Sequence, residues 1–199
     1  MAITRARTSS VAQGPSTRKT VSGGNDIILP GSYDAIAVTT VGSTPATEIV
    51  FSSIPQTYKH LQIRASVRNN RAATASNTYF RFNGDTASNY AFHAISGNGT
   101  SANAIAGANV TIGLAADPSA SFTANAFGVQ IYDILDYTDV NKTKTVRVLN
   151  GYDDNGGGAG EMLLWSNLWR GTSAISSIRF FPNSGEYVQY TTFALYGIK

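Results

Sequence analysis

The chain has 199 residues, of which 42% are hydrophobic and 14% charged, with a formal net charge of +3 and no cysteine. That length fits one domain, or one domain with a tail, and the charged share lies well below the usual ~25%. Disulfides, thiolate–metal sites and cysteine nucleophiles are excluded, and no apolar run approaches the ~18 residues of a membrane-spanning helix.

The opening "MAITRARTSS" is charged but lacks the apolar stretch of a secretory signal, so synthesis and folding in a cytosol are expected. Residues 1–25 hold Arg5, Arg7, Arg18 and Lys19 and no acid, a charge of +4; residues 26–199 hold the other 11 basic residues against 12 acidic ones, a charge of −1. The basicity therefore belongs to the leader. With Gly14-Pro15 and Gly23-Gly24 as breaks and no apolar period, residues 1–25 are predicted to form an extended basic arm that orders on a partner. Its four spaced cations lack interleaved aromatics and make a poor nucleic-acid footprint.

From residue 26 onward the texture is that of strands. The runs 33–41 and 47–51 are rich in β-branched residues. "HLQIRASVR" (60–68) alternates strictly, with Leu61, Ile63, Ala65 and Val67 on one face and Gln62, Arg64, Ser66 and Arg68 on a wet one. Strands are further predicted at 78–82, 89–95, 109–114 and 125–135, the last with a bulge near Gly128. "KTVRVLNGY" (144–152) alternates through Val146, Val148 and Asn150; "EMLLWSNLW" (161–169) fits strand or helix; 175–181 and 188–198 close the chain. About ten strands at spacings near ~8–12 residues predict an all-β protein, an antiparallel two-sheet sandwich of jelly-roll type over 26–199.

The candidate sites reduce to turns. In "YFRFNGDTASNY" (79–90) the Asn-Gly pair favours a tight hairpin or a slightly longer connection, stiffened by Asp85 and Ser88. Asp85 is the one local carboxylate, too few for a cation; sugar contact through Tyr79 or Tyr90 is a weaker alternative. "GYDDNGGGAGEM" (151–162) starts like a calcium loop at Asp153 and Asn155 and then departs from the pattern. Asp133, Asp136 and Asp139 would scatter on a strand running into a loop, and with Glu161 they are the acids a polysaccharide depolymerase would have to use. His60 and His93 read as ordinary strand histidines. No metal, cofactor or catalytic residue is expected. In the final strand both faces carry large groups, so Tyr190, Phe193 and Tyr196 are predicted to meet another subunit.

The phrases "FSSIPQTYKHLQIRASVR" (51–68), "RFNGDTASNYAFH" (81–93), "KTVRVLNGYDDNG" (144–156), "LWRGTSAISSIRFF" (168–181) and "YTTFALYGIK" (190–199) resemble a family of small tailed-bacteriophage virion proteins. The leader before "LPGSYDAIAVTTV" is similar to that family's leader. The resemblance implies a non-enzymatic structural role in a virion, as capsid decoration or tail-fibre component, with other virion proteins as partners, and it supplies no catalytic residue. Arg5, Arg7, Arg18 and Lys19 are the expected anchor contacts, and a homotrimer is expected by analogy with phage jelly-roll proteins. The alternative is a receptor-binding module for host-surface glycan. Neither nucleic acid nor membrane is an expected partner.

Overall fold

The structure, a computed structural model, describes residues 17–22, 25–30, 32–154 and 160–199. Among them the chain forms fourteen strands and no helix: β1 (Thr17–Ser22), β2 (Asn25–Pro30), β3 (Tyr33–Thr40), β4 (Ile49–Phe51), β5 (His60–Val67), β6 (Ala75–Phe82), β7 (Tyr90–Gly97), β8 (Ala102–Val110), β9 (Gly113–Pro118), β10 (Gly128–Ile134), β11 (Lys144–Tyr152), β12 (Glu161–Trp169), β13 (Ile178–Pro182) and β14 (Thr192–Ile198). Twelve of them build a sandwich. One sheet has eight strands in the order β3-β14-β5-β10-β11-β12-β7-β8; the other has four, in the order β4-β13-β6-β9. Every pairing is antiparallel.

β1 and β2 form a separate two-stranded unit, in register from Thr17↔Pro30 to Ser22↔Asn25. The part of the predicted arm that is described is thus extended but paired, and its pairing crosses the expected boundary at residue 25. Arg18 and Lys19 lie on β1, whereas Arg5 and Arg7 lie outside the described residues.

Side-chain alternation explains the large sheet. In β12, Leu163, Trp165, Asn167 and Trp169 point inward and Met162, Leu164 and Ser166 outward, a period of two that resolves the ambiguity of 161–169 as strand. The inward rows meet the small sheet in an aromatic core. The Phe180 ring lies 4.7 Å from Phe193 and 5.2 Å from Tyr132, and Tyr132 lies 5.7 Å from Phe80. Off-centre ring contacts of this kind add to the burial of large apolar surface.

Inside this apolar core three buried amides perform a specific task. Gln130 and Asn150 each donate from their side-chain nitrogen to the Ala116 carbonyl at 3.0 Å. Asn167 accepts from the Leu114 N–H at 3.0 Å and donates to the Leu114 carbonyl at 3.1 Å. β9 pairs on one side with β6 alone, and these side chains from the opposite sheet satisfy backbone groups on β9. Unpaired and buried, such groups would cost about 1–3 kcal/mol each. The Asn150 in the inward register of β11 is thereby accounted for, and its Oδ1 also accepts the Trp165 indole N–H at 2.7 Å.

A buried cation holds the turn between β10 and β11. The Lys144 ammonium, 1% exposed, donates to the carbonyls of Asp139, Lys142 and Thr172 at 2.6, 2.7 and 3.1 Å. Replacing it (Lys144→Met) leaves those carbonyls without their donor and is expected to lower stability by about 2–4 kcal/mol, read as a shift in the urea unfolding midpoint.

Several expectations are corrected. The run 109–114 is not one strand; it is the end of β8 and the start of β9. No bulge lies at Gly128: β10 keeps continuous register with both β5 and β11, and the irregularities fall at Leu195/Tyr196 and Tyr90/Ala91. Gln62 and Arg68, assigned to the wet face of β5, are both only 8% exposed.

Candidate binding surface

The "NGD" turn is locally as predicted and globally different. Asn83 and Gly84 have φ of 51° and 67°, and the Asp85 N–H bonds the Phe82 carbonyl at 2.9 Å, the geometry of a tight turn with both central residues left-handed. Yet β6 belongs to the small sheet and β7 to the large one, so the turn carries the chain between layers and closes no hairpin. Asp85 is its anchor. One carboxylate oxygen accepts the Ala87 N–H at 2.9 Å; the other accepts Asn89 at 2.9 Å and the Trp169 indole N–H at 2.7 Å. Burial opposes its ionisation, but the bonds from Trp169, Asn89 and Ala87 outweigh it and hold the pKa below the usual carboxylate range. Tyr90 is fully buried, with its hydroxyl accepting the Phe82 N–H, so it offers no sugar contact. Tyr79 is half-buried and stands edge-on to Phe181.

The acids at 132–145 separate as a strand running into a loop requires. Asp133 on β10 accepts Arg147 at 2.7 Å and Gln62 at 2.8 Å. Burial raises its pKa, and those two partners more than reverse the effect. Asp136 and Asp139 share the Lys142 ammonium at 2.8 and 3.4 Å. Lys142 lowers the Asp136 pKa, and the Asn141 N–H lowers that of Asp139. Glu161, at the start of β12, accepts the Tyr152 hydroxyl at 3.1 Å. The three aspartates are thus fixed as ionised partners of cations and amides, whereas a glycosidic acid needs a raised pKa. The His60 Nδ1 accepts the Asp136 N–H at 2.9 Å, and His93 is exposed on β7. Asp153 and Asp154 follow β11; Asn155 lies outside the described residues. Among the described residues no group of three or more His, Cys, Asp or Glu side chains is placed to hold a metal ion.

The aromatics predicted to form an interface divide three ways. Phe193 does not reach the surface: it is 0% exposed and stacks on Phe180 and Tyr187. Its place on the inward face of β14 makes it core, so its assignment to a subunit contact is wrong. Tyr190 precedes β14 in a turn, with φ of 72° and 69% of its surface exposed. Tyr196 lies half-buried on the outer face, with the Arg64 guanidinium 5.8 Å from its ring centre and 5.6 Å from that of Tyr33.

The large sheet presents a broad apolar outer face, a feature that reading single strands missed. Cross-strand register aligns Ile131, Leu149, Leu164, Ile95 and Ala104 in one row over β10-β11-β12-β7-β8. Leu149, Leu164 and Ile95 are 48%, 41% and 61% exposed. Val129 and Met162 extend the apolar area in the adjacent row. Two hollows of about 620 and 660 Å³ share Ile95, Ala104 and Leu164 and run together along β12, β7 and β8. On the other side lies a polar row of Gln62, Asp133, Arg147, Ser166 and His93. No family model, characterised protein or solved structure matches the chain. An exposed apolar area rimmed by polar side chains is the pattern of a face that meets protein.

Proposed function

We propose that this protein is a non-enzymatic structural component of a bacteriophage virion. Its β-sandwich is displayed on the particle surface as a capsid decoration protein or as a tail or fibre component. The observation that carries the reading is the outer face of the eight-stranded sheet, where Leu149, Leu164, Ile95 and Met162 stay exposed in adjoining rows. Such a face is suited to contact with other virion proteins or with further copies of the chain. The connections also support it: β3 through β7, β8 through β10 and β12 through β14 cross between the sheets at every step, as in the jelly-roll type. The basic segment 1–25 serves as the anchor, with Arg5, Arg7, Arg18 and Lys19 as its contacts.

Deleting residues 1–25 tests the anchor. The deletion removes β1 and leaves both sandwich sheets intact. The variant is expected to keep the far-ultraviolet spectrum and melting curve of the parent and to be missing from purified particles. Full occupancy of the particle by the truncated protein ends the anchoring idea.

One observation favours a second reading, a host-glycan receptor module. Arg64 lies on the outer face between the Tyr33 and Tyr196 rings, beside Gln62, whose Oε1 accepts its Nε–H at 2.8 Å. Exposed rings beside hydrogen-bonding groups can stack on and orient a sugar. Binding of purified protein to host cells, lost on Tyr196→Ala, separates this reading from a purely architectural one.

A further inference from the structure

Three Asn-Gly pairs fall among the described residues: Asn83-Gly84, Asn98-Gly99 and Asn150-Gly151. Such a pair carries a latent reaction. The glycine nitrogen can attack the carbonyl carbon of the asparagine side chain and close a five-membered ring, and glycine has no Cβ to obstruct the approach. Whether a folded chain permits this depends on what holds the amide.

At two of the pairs the amide is held at both ends. The Asn83 Nδ2 donates to the Ala174 carbonyl at 2.8 Å, and its Oδ1 accepts the N–H groups of Ser176 and Ser177 at 2.9 and 3.2 Å, partners 91 to 94 residues away. Asn150 is 2% exposed, its Nδ2 donates to the Ala116 carbonyl at 3.0 Å, and its Oδ1 accepts the Trp165 indole N–H at 2.7 Å. Gly151 is fixed in the large sheet between Val129 and Met162. In either pair, ring closure requires these bonds to break first.

Asn98 differs. With Gly99, Thr100 and Ser101 it forms the exposed turn between β7 and β8. Among the described residues its Nδ2, the leaving nitrogen, makes no hydrogen bond, and neither does the N–H of Gly99, the attacking one. Its Oδ1 accepts four donors: the Thr100 N–H and hydroxyl, both at 3.0 Å, the Ser101 N–H at 2.8 Å and the Ser101 hydroxyl at 3.2 Å. The bond from the N–H two residues on folds the side-chain amide back over the Gly99 peptide. The four donors converge on the oxygen that gains negative charge as the ring closes, which is the arrangement of an oxyanion hole.

We infer that Asn98 is a self-modification site: the folded chain converts it to aspartate and isoaspartate, with Thr100 and Ser101 stabilising the intermediate. A solvent base takes the Gly99 N–H proton as the nitrogen bonds to Cγ, and the carbonyl electron pair moves onto Oδ1. The pair returns, the Cγ–Nδ2 bond breaks, and Nδ2 leaves as ammonia with a proton from solvent. Water then opens the ring. Attack at one carbonyl gives aspartate; attack at the other gives isoaspartate, whose main chain is one methylene longer. Nothing is oxidised or reduced. The new carboxylate lowers the formal charge by one, from +3 to +2. Asn98 borders a hollow together with Val129 and Met162, so that charge stands at the margin of the apolar outer face. The reaction is independent of any place in a virion.

The test is incubation of the full chain in mildly alkaline buffer, followed by chymotryptic mapping, in which cuts at Tyr90 and Phe92 part Asn98 from Asn83. Conversion adds about 1 Da to a peptide and splits it into two chromatographic forms. In the native protein Asn98 is expected to convert at least about tenfold faster than Asn83 and Asn150, and in concentrated urea the three rates are expected to converge. The double variant Thr100→Val, Ser101→Ala keeps both backbone donors and removes both hydroxyls. It is expected to retain the β spectrum and to slow native conversion of Asn98 at least about threefold, with no effect in urea. Equal native rates at the three sites overturn the inference, and so does a rate order that persists in urea, because flanking sequence then decides in place of the fold. A double variant that converts at the native rate of the parent overturns the role given to the hydroxyls.

Discussion

Replacing Arg68 with methionine is expected to cost this protein about 3–5 kcal/mol of stability, the range seen when a buried charge-bearing hydrogen-bond network is broken. Arg68 follows β5 and is 8% exposed. One guanidinium nitrogen donates to the carbonyls of Thr123 and Ala126, both at 2.7 Å, and another to those of Phe122 at 3.0 Å and Ala120 at 3.4 Å. The loop between β9 and β10 is therefore wrapped around a single cation, with its carbonyls turned inward to meet it. Burial alone depresses the Arg68 pKa, yet an arginine keeps its charge far above neutral pH. Methionine fills the volume of the stem but takes the guanidinium away from four carbonyls, of which that of Thr123 keeps the Ala126 N–H at 3.2 Å. For a chain of this size the loss corresponds to a fall in melting temperature of roughly 6–20 °C. Arg68→Lys is expected to recover only part of it, because an ammonium is a point charge and lacks the planar fork that reaches four acceptors. Equal melting curves for the arginine, lysine and methionine forms show that the loop is held by something else.

Arg68 also marks where sequence reading reaches its limit. Alternation located β5 and β11 because each has one face on the core, and a period of two is a local signal. Alternation cannot tell a wet face from a face whose polar groups are satisfied at a distance. Gln62 bonds Asp133, 71 residues away, and Arg68 bonds carbonyls 52 to 58 residues away. Both were therefore assigned to solvent. β9 failed for the complementary reason. Its six residues are all buried, so "GLAADP" shows no alternation, and the amides that satisfy Leu114 and Ala116 come from other strands. β8, rich in alanine and asparagine, has neither strand propensity nor a buried face to announce it. Asn83-Gly84 declared its left-handed turn from local sterics, whereas the placement of the flanking strands in different sheets is a long-range fact. Of the proposed interface aromatics, Phe193 was misassigned because large groups on both faces of a strand do not say which face is core. The apolar outer face was legible residue by residue but not as a surface, since its rows join only through the register of five strands.

The stability of this protein is expected to fall as pH rises from about 4 to about 7, and Asp117→Asn is expected to abolish most of that fall. Asp117 lies on β9, 0% exposed, between the two sheets. Asn69 donates to one of its oxygens at 2.6 Å, and the other oxygen has no hydrogen-bond partner. Burial pushes its pKa from 3.8 up to about 7, against the opposing bonds from Asn69 and Thr78. The sign follows from which state holds the proton. Below the unfolded value both states are protonated and the stability is complete. Between the two values the unfolded chain has released its proton and the folded chain retains it, so each rise in pH favours unfolding, by about 1.4 kcal/mol per unit at most. Above the folded value the loss levels off, at an upper bound of roughly 4 kcal/mol for a shift of this size. Asp85, Asp133, Asp136 and Asp139 shift the opposite way, and their contribution is lost only as pH falls below the ordinary carboxylate range. The two effects therefore occupy separate windows. Asparagine keeps the shape of the side chain and cannot ionise, so the variant is expected to match the parent near pH 4 and to exceed it by about 2–4 kcal/mol near pH 8. Urea unfolding of both forms across that range measures the difference directly. A parent whose stability is level or rising over the interval, with the variant weaker throughout, means that the carboxylate is ionised and paired in the fold, and that the unpartnered oxygen has found a donor.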